Sequence, residues 1–204
     1  MSNPNALIYQ WMVAEHNAYW LDFFLRRDIN VFVWNQRGYG ESHQSIFSPL
    51  LTPLQSKVDS ERILQFLVNK LQVRGKIGVY GRSIGGIAAS HLVKKFPEII
   101  TMFVGDRTMG NFDNVVKYRK PCGSSQMIKL YKLISCNWRI NNADGFPENT
   151  NCFKIHCFDE YDDVIDVFGS QHHELASKVA QINYDTKDFY KFYQSIIVIY
   201  EIES

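Results

Sequence analysis

The sequence lacks several features that would assign it to a class of protein at once. Its 22 lysines and arginines against 21 aspartates and glutamates leave a net charge of only +1. We therefore expect no nucleic-acid partner, because phosphate binding needs clustered positive charge. No apolar run approaches the roughly 20 residues of a membrane span, so no transmembrane segment is predicted. The N-terminus also lacks the basic and apolar regions of a signal peptide.

Cysteine is sparse, and its spacing gives no metal-site pattern. None of the four cysteines forms a C-x-x-C pair, which is the spacing typical of zinc and thioredoxin-like sites. We therefore expect no metal site, four reduced thiols and a cytoplasmic location. The four residues are Cys122, Cys136, Cys152 and Cys157.

The content and order of apolar residues predict an α/β protein. Hydrophobic residues make up 46% and aromatic residues 14% of the 204 positions, which excludes disorder and fits a single domain over residues 1–204. Short apolar runs alternate with amphipathic segments, and this predicts a parallel sheet with helices on both faces. The predicted strands are 30–34, 76–80, 99–104, 152–158 and 195–200, and the predicted helices are 20–27, 59–71, 84–95 and 174–182.

Residues 109–151 interrupt this alternation. Pro121, Gly123, Gly145 and Pro147 lie around a short helical stretch at 127–134. A segment of this length between two strands predicts a lid insertion over a site, and an ordinary crossover helix with long loops is the alternative.

The stretch G-R-S-I-G at residues 81–85 is the motif that indicates a catalytic function. A strand precedes it and a helix follows it, which is the setting of a nucleophile elbow. The sharp turn forces the central Ser83 into a strained backbone conformation, and small residues beside it avoid collisions with the strand and helix. The alternative is a tight turn in an unrelated α/β protein.

Four segments together resemble the α/β-hydrolase superfamily, and they occur in the family's order. They are N-P-N-A at residues 3–6, N-Q-R-G-Y-G-E-S at 35–42, G-R-S-I-G-G at 81–86 and D-D-V-I-D at 162–166. The first departs from the family's H-G-N-A loop, and the second has Asn35 where aspartate is commoner. The branch of serine aminopeptidase-like and depalmitoylase-like hydrolases is the most similar.

The resemblance implies a role for each matched position. It implies that Ser83 is the nucleophile, that the backbone N–H groups of Ile84 and Asn5 form the oxyanion hole, and that Asp162 orients the base. Three other aspartates compete with Asp162 for that role, namely Asp106, Asp159 and Asp163. The implied reaction is acyl transfer from an ester, thioester or amide in a small-molecule or acyl-peptide substrate, and it needs no metal or cofactor.

The histidine that should serve as the base has no clear match. The family places it after the last strand, whereas His172 and His173 come soon after Asp162, so both are weak base candidates. His91 lies on the elbow's own helix and is predicted to be a packing residue. His43 and His156 match no family position. The alternative function is therefore a non-catalytic hydrolase-fold binding or scaffold protein, a pseudoenzyme without its base.

The family's third strand is also missing from the predicted elements. That strand lies between the fourth and fifth in the family's sheet, and without it the strands at 30–34 and 76–80 would keep unpaired backbone groups. We expect a domain that lacks the first three strands and the C-terminal end, as a fragment of a longer enzyme. The alternative is that residues 6–13 are recruited as an unusual strand.

Overall fold

The computed structural model forms one sheet of six parallel strands. It describes residues 6–10, 22, 24–37, 42, 52–111, 113–115, 140–142, 151–158, 162, 165, 167–171, 173–175 and 196–200. The strands are β1 Ala6–Gln10, β2 Asn30–Trp34, β3 Ile77–Arg82, β4 Ile100–Asp106, β5 Phe153–Phe158 and β6 Ile196–Tyr200. Their order is β2-β1-β3-β4-β5-β6. The predicted parallel α/β sheet is confirmed.

The strand β1 corrects the prediction that the first three strands are all lacking. It lies between β2 and β3, where Ala6 pairs with both Asn30 and Ile77. The short apolar run at 6–10 therefore satisfies the backbone groups that β2 and β3 would otherwise leave unpaired. At this position the structure agrees with the alternative prediction, in which part of residues 6–13 is recruited as a strand.

Two helices follow β2 and β3, and the first begins earlier than predicted. It is α1, Pro53–Asn69, and the second is α2, Gly86–Lys95. Thr52 caps α1: its Oγ1 accepts from the Gln55 N–H at 3.2 Å, and its own N–H donates to Gln55 Oε1 at 2.9 Å. This capping box, with Pro53 at the first helical position, sets the start of the helix ahead of its apolar stripe.

Alternate residues of β3 and β4 face two separate apolar clusters. Ile77, Val79 and Phe103 pack with residues of α1 and α2 on one face. Tyr80 and Val104 pack with Phe24 on the other face, where the described backbone is helical at Asp22, Phe24 and Leu25. Both faces of the sheet are thus covered, as expected for parallel strands.

Candidate active site

Ser83 occupies a strained turn at the carboxyl end of the central strand. Strand β3 ends at Arg82, a 3-10 turn spans Ser83–Gly85, and α2 begins at Gly86. The φ angle of Ser83 is +51°, in the left-handed region that costs a residue with a Cβ about 1–2 kcal/mol. Such strain concentrates at functional sites. The turn therefore holds the Ser83 side chain at the strand-to-helix corner.

Two glycines allow the strand and helix to approach this closely. A Cβ added to Gly81 would lie 2.7 Å from the Gly85 carbonyl oxygen and 2.8 Å from the Ala89 Cβ. A Cβ on Gly86 would lie 2.4 Å from Thr108 Cγ2 in the loop after β4. Both contacts are too short for a larger side chain, so the glycines are required by packing.

Asp106 closes β4 beside the Ser83 turn and is surrounded by donors. Its carboxylate accepts from the Tyr80 hydroxyl at 2.5 Å and from Arg107 Nε at 3.2 Å. Arg82 Nε lies 3.6 Å from its Oδ2, and the side chain is buried. The charge is therefore compensated within the sheet edge, as buried carboxylates require.

Asp162 lies in the turn after β5, at the same edge of the sheet as Ser83. Its Oδ1 accepts from the Ile165 N–H at 2.9 Å. Ile165 packs in a buried cluster with Ile87, and Ile84 packs against that cluster. The turn that carries Asp162 and the turn that carries Ser83 thus share one apolar cluster. The competing residues Asp159 and Asp163 lie outside the described residues.

None of the histidines in the described part of the chain hydrogen-bonds the Ser83 hydroxyl. The His173 N–H donates to Ser170 Oγ at 3.2 Å, and its ring lies against Phe168 with centroids 5.1 Å apart. His156 is buried on β5 against Phe103. His172 and His43 lie outside the described residues, so the base assignment stays a prediction.

His91 is a packing residue, as predicted. Its Nε2 lies 2.6 Å from Glu61 Oε1 on α1. Burial lowers the pKa of His91, although the hydrogen bond and charge of Glu61 oppose this shift. The contact joins α1 to α2 and leaves the ring engaged away from the Ser83 turn.

Of the two predicted oxyanion donors, the structure describes Ile84 but not Asn5. Ile84 follows Ser83 directly in the turn, at the position the resemblance requires. Asn5 lies outside the described residues, and the strand that follows it starts at the amino end of the sheet, where Ala6 pairs with Ile77. At the Ser83 edge it is Gln10 that lies beside Gly81. The role of Asn5 therefore gains no support from the register and stays a prediction.

Arg37, in the R-G-x-G segment, has a structural role. Its guanidinium forms a two-pronged ion pair with Asp59 of α1, with Nε 2.8 Å from Oδ2. The hydrogen bond to Asp59 raises the pKa of Arg37 despite partial burial. The segment after β2 is thereby fixed to α1.

A buried glutamine, which no sequence pattern indicated, joins the start of the predicted lid segment to its described stretch 140–142. Gln171 accepts from Thr108 Oγ1 at 2.7 Å and donates from Nε2 to Ser90 Oγ at 2.9 Å and to the Asn142 carbonyl at 3.0 Å. Asn142 in turn donates to the Met109 carbonyl at 2.7 Å. Most of 109–151 lies outside the described residues, so the lid itself stays a prediction.

Neither of the two cysteines in the described part of the chain forms a disulfide. Cys152 is buried and Cys157 is half-buried. Burial raises the pKa of Cys152 to about 11, so this thiol stays protonated at neutral pH. Cys122 and Cys136 lie outside the described residues.

Solved structures of hydrolases share this architecture. An α/β-hydrolase from Vibrio vulnificus matches with a TM-score of 0.69 and 16% identity, over 98% of this chain and 67% of that one. An esterase of Pyrococcus furiosus matches with a TM-score of 0.65 and 15% identity, over 98% and 72%. The chain has the α/β-hydrolase fold. Alpha/beta hydrolase domain-containing protein 10 from mouse matches with a TM-score of 0.56 and 14% identity, over 100% and 82%.

Two curated proteins resemble part of this chain in sequence. Protein bem46 of Schizosaccharomyces pombe is 32% identical over 104 residues, which are 50% of this chain and 33% of that protein. An uncharacterized membrane protein of Saccharomyces cerevisiae is 28% identical over 127 residues, 61% of this chain and 40% of that protein. The matched regions thus span less than half of either relative. No protein-family model matches the chain.

The membrane label of the second relative has no counterpart among the described helices of this hydrolase-fold chain. Among the residues that the structure describes, no helix is both long enough and apolar enough to cross a bilayer. The predicted cytoplasmic location stays a prediction.

Proposed function

We propose that this chain carries the active site of a serine hydrolase that cleaves an ester, thioester or amide through an acyl-enzyme on Ser83. The observation that carries the proposal is the positive φ of Ser83 at the strand-to-helix turn. A serine without a structural need for that conformation is expected to relax out of it, so the strain argues for a function.

The reaction would proceed in two acyl transfers. Ser83 Oγ attacks the substrate carbonyl and gives its proton to a base, and the resulting oxyanion accepts from the Ile84 N–H. Collapse of the tetrahedral intermediate breaks the bond to the leaving group, which takes the proton from the base. Water then attacks the Ser83 acyl ester and gives a proton to the base. The base returns the proton to Ser83 Oγ as the acid is released.

Asp162 is the proposed residue that orients the base. Its turn shares the apolar cluster beside Ile84, whereas the carboxylate of Asp106 is engaged by Tyr80 and two arginines. The base is a histidine in this proposal, with His172 and His173 as the weak candidates within the chain. Small-molecule or acyl-peptide substrates remain the proposed class, and no cofactor or metal takes part in the proposed steps.

A serine-directed fluorophosphonate probe tests the proposal. Because the probe needs an activated serine, we expect labelling of the purified protein, loss of labelling in Ser83→Ala, and unchanged labelling in Ser60→Ala. Ser60 is a suitable control because it is a buried helical serine that bonds only the Lys57 carbonyl among the described contacts. Labelling that persists in Ser83→Ala would contradict the proposal.

A non-catalytic hydrolase-fold binding protein is the second candidate. The observation in its favour is that the Ser83 hydroxyl has no hydrogen-bonding partner in the described ranges. A serine without a base is a poor nucleophile. This candidate predicts a folded protein that the probe does not label, which separates the two functions in one experiment.

A further inference from the structure

A cavity of about 630 Å³ lies beside the carboxyl-terminal half of α2, and Ser83 is not among its lining residues. The chain lines it from three places: α1 contributes Lys57, α2 contributes Ser90, His91, Lys94 and Lys95, and the segment at 140–142 completes the wall. This volume falls in the range of small-molecule sites.

The cavity wall carries more positive than negative charge. Lys95 pairs with Glu61 at 2.7 Å, and the same carboxylate holds His91. Lys57 and Lys94 have no ion-pair partner within the described parts of the chain. Burial lowers the pKa of Lys57, and the charge of Lys94 lowers it further. Two like charges, one of them half-buried, are unfavourable together unless an anion compensates them.

Ser90 adds a neutral donor at the same wall. Its side chain is buried and accepts from Gln171 Nε2 at 2.9 Å. A hydroxyl that accepts one hydrogen bond still has its own hydrogen to donate. In the described part of the structure no protein acceptor is recorded for that hydrogen. The Gln171 contact therefore fixes the position of the oxygen while its hydrogen is left for a ligand.

We propose that this cavity binds the phosphate group of an organic phosphate, with Lys57 and Lys94 as its charge partners and Ser90 as a neutral donor. Two uncompensated ammonium groups match the charge of a phosphate dianion, and lysine binds phosphate as a point charge. The cavity is larger than a phosphate group, which leaves space for the organic part. This site is independent of the proposed chemistry at Ser83.

Calorimetric titration of the purified protein with inorganic phosphate at low salt tests the site. We expect saturable binding that weakens about tenfold in Lys57→Met and in Lys94→Met, the loss expected for removing a hydrogen bond to a charged group. Lys70→Met is the matched control, because Lys70 is exposed just after α1, and it should bind as the wild type does. Ser83→Ala should also bind normally, so failure of the hydrolase proposal would not affect this result.

Thermal unfolding without phosphate separates loss of the site from loss of the fold. Either methionine variant removes the repulsion between the two lysines, so its melting temperature should equal or exceed that of the wild type. Vesicles of phosphatidylcholine with phosphatidic acid distinguish the sources: co-sedimentation that both variants lose supports a lipid phosphate, and phosphate binding without co-sedimentation supports a soluble one. No saturable phosphate binding by the wild type, or wild-type affinity in both variants, would overturn the proposal.

Discussion

The hydroxyl of Tyr80 donates a 2.5 Å hydrogen bond to Oδ2 of Asp106, across the two central strands β3 and β4. Both side chains are buried, and the pair lies directly before the Ser83 turn. Tyr80, Arg82 and Arg107 all contact the Asp106 carboxylate. The sequence alone leaves Asp106 as an alternative to Asp162 for the catalytic acid. The contact therefore indicates a structural role for Asp106.

Removing the Tyr80 hydroxyl should destabilise the fold. Tyr80→Phe leaves the ring packing on Phe24, with centroids 6.0 Å apart, but it deprives a buried carboxylate of a donor. We expect the free energy of unfolding to fall by about 1.5–3 kcal/mol, measured by urea denaturation. An unchanged value would show that the arginines alone satisfy Asp106.

Substitution of Asp162 should lower activity, whereas substitution of Asp106 should lower only stability. Asp162→Asn should slow fluorophosphonate labelling of Ser83 at least about tenfold, because the base loses its orienting carboxylate. Asp106→Asn should leave the labelling rate per folded molecule within about twofold of the wild type, with the loss confined to stability. The reverse pattern would assign the acid to Asp106.

The Ser83→Gly variant should be more stable than the Ser83→Ala variant. A glycine adopts the φ of +51° without the Cβ penalty. We therefore expect the free energy of unfolding of Ser83→Gly to exceed that of Ser83→Ala by about 1 kcal/mol, net of the greater unfolded-state entropy of glycine. Both variants lack the hydroxyl, so their comparison isolates the backbone strain. Equal stabilities would mean that the turn relaxes when alanine replaces serine.

His91 should make stability depend on pH near neutrality. Burial lowers its folded-state pKa below the ordinary value of 6.5, so the unfolded chain binds more protons as the pH falls through 6.5. The free energy of unfolding should therefore decrease with falling pH in that window, with a slope of less than one proton. His91→Gln should reduce this slope, measured by denaturation between about pH 5.5 and 7.5. A slope unchanged in the variant would contradict the prediction.

The sequence predicts the central elements well because their signals are local. The strand before Ser83, the helix after it and the serine's strained turn all follow from a short run of apolar residues and glycines. Residues 6–13 are predicted only as an alternative strand, because the place of Ala6–Gln10 depends on partners at Asn30 and Ile77, far along the chain. The contacts of Gln171 could not be predicted either, because a lone polar residue carries no periodic signal.

The position of β1 constrains the order in which the fold can assemble. Ala6 pairs with Ile77, so the strand must wait for a partner that leaves the ribosome roughly 70 residues later. Until then, among the described strands, β1 can pair only with β2, and its other edge stays unpaired. A nascent chain should therefore expose one edge of β1 to chaperones until β3 has left the ribosome, and a ribosome stalled before β3 should hold this segment in a protease-sensitive state.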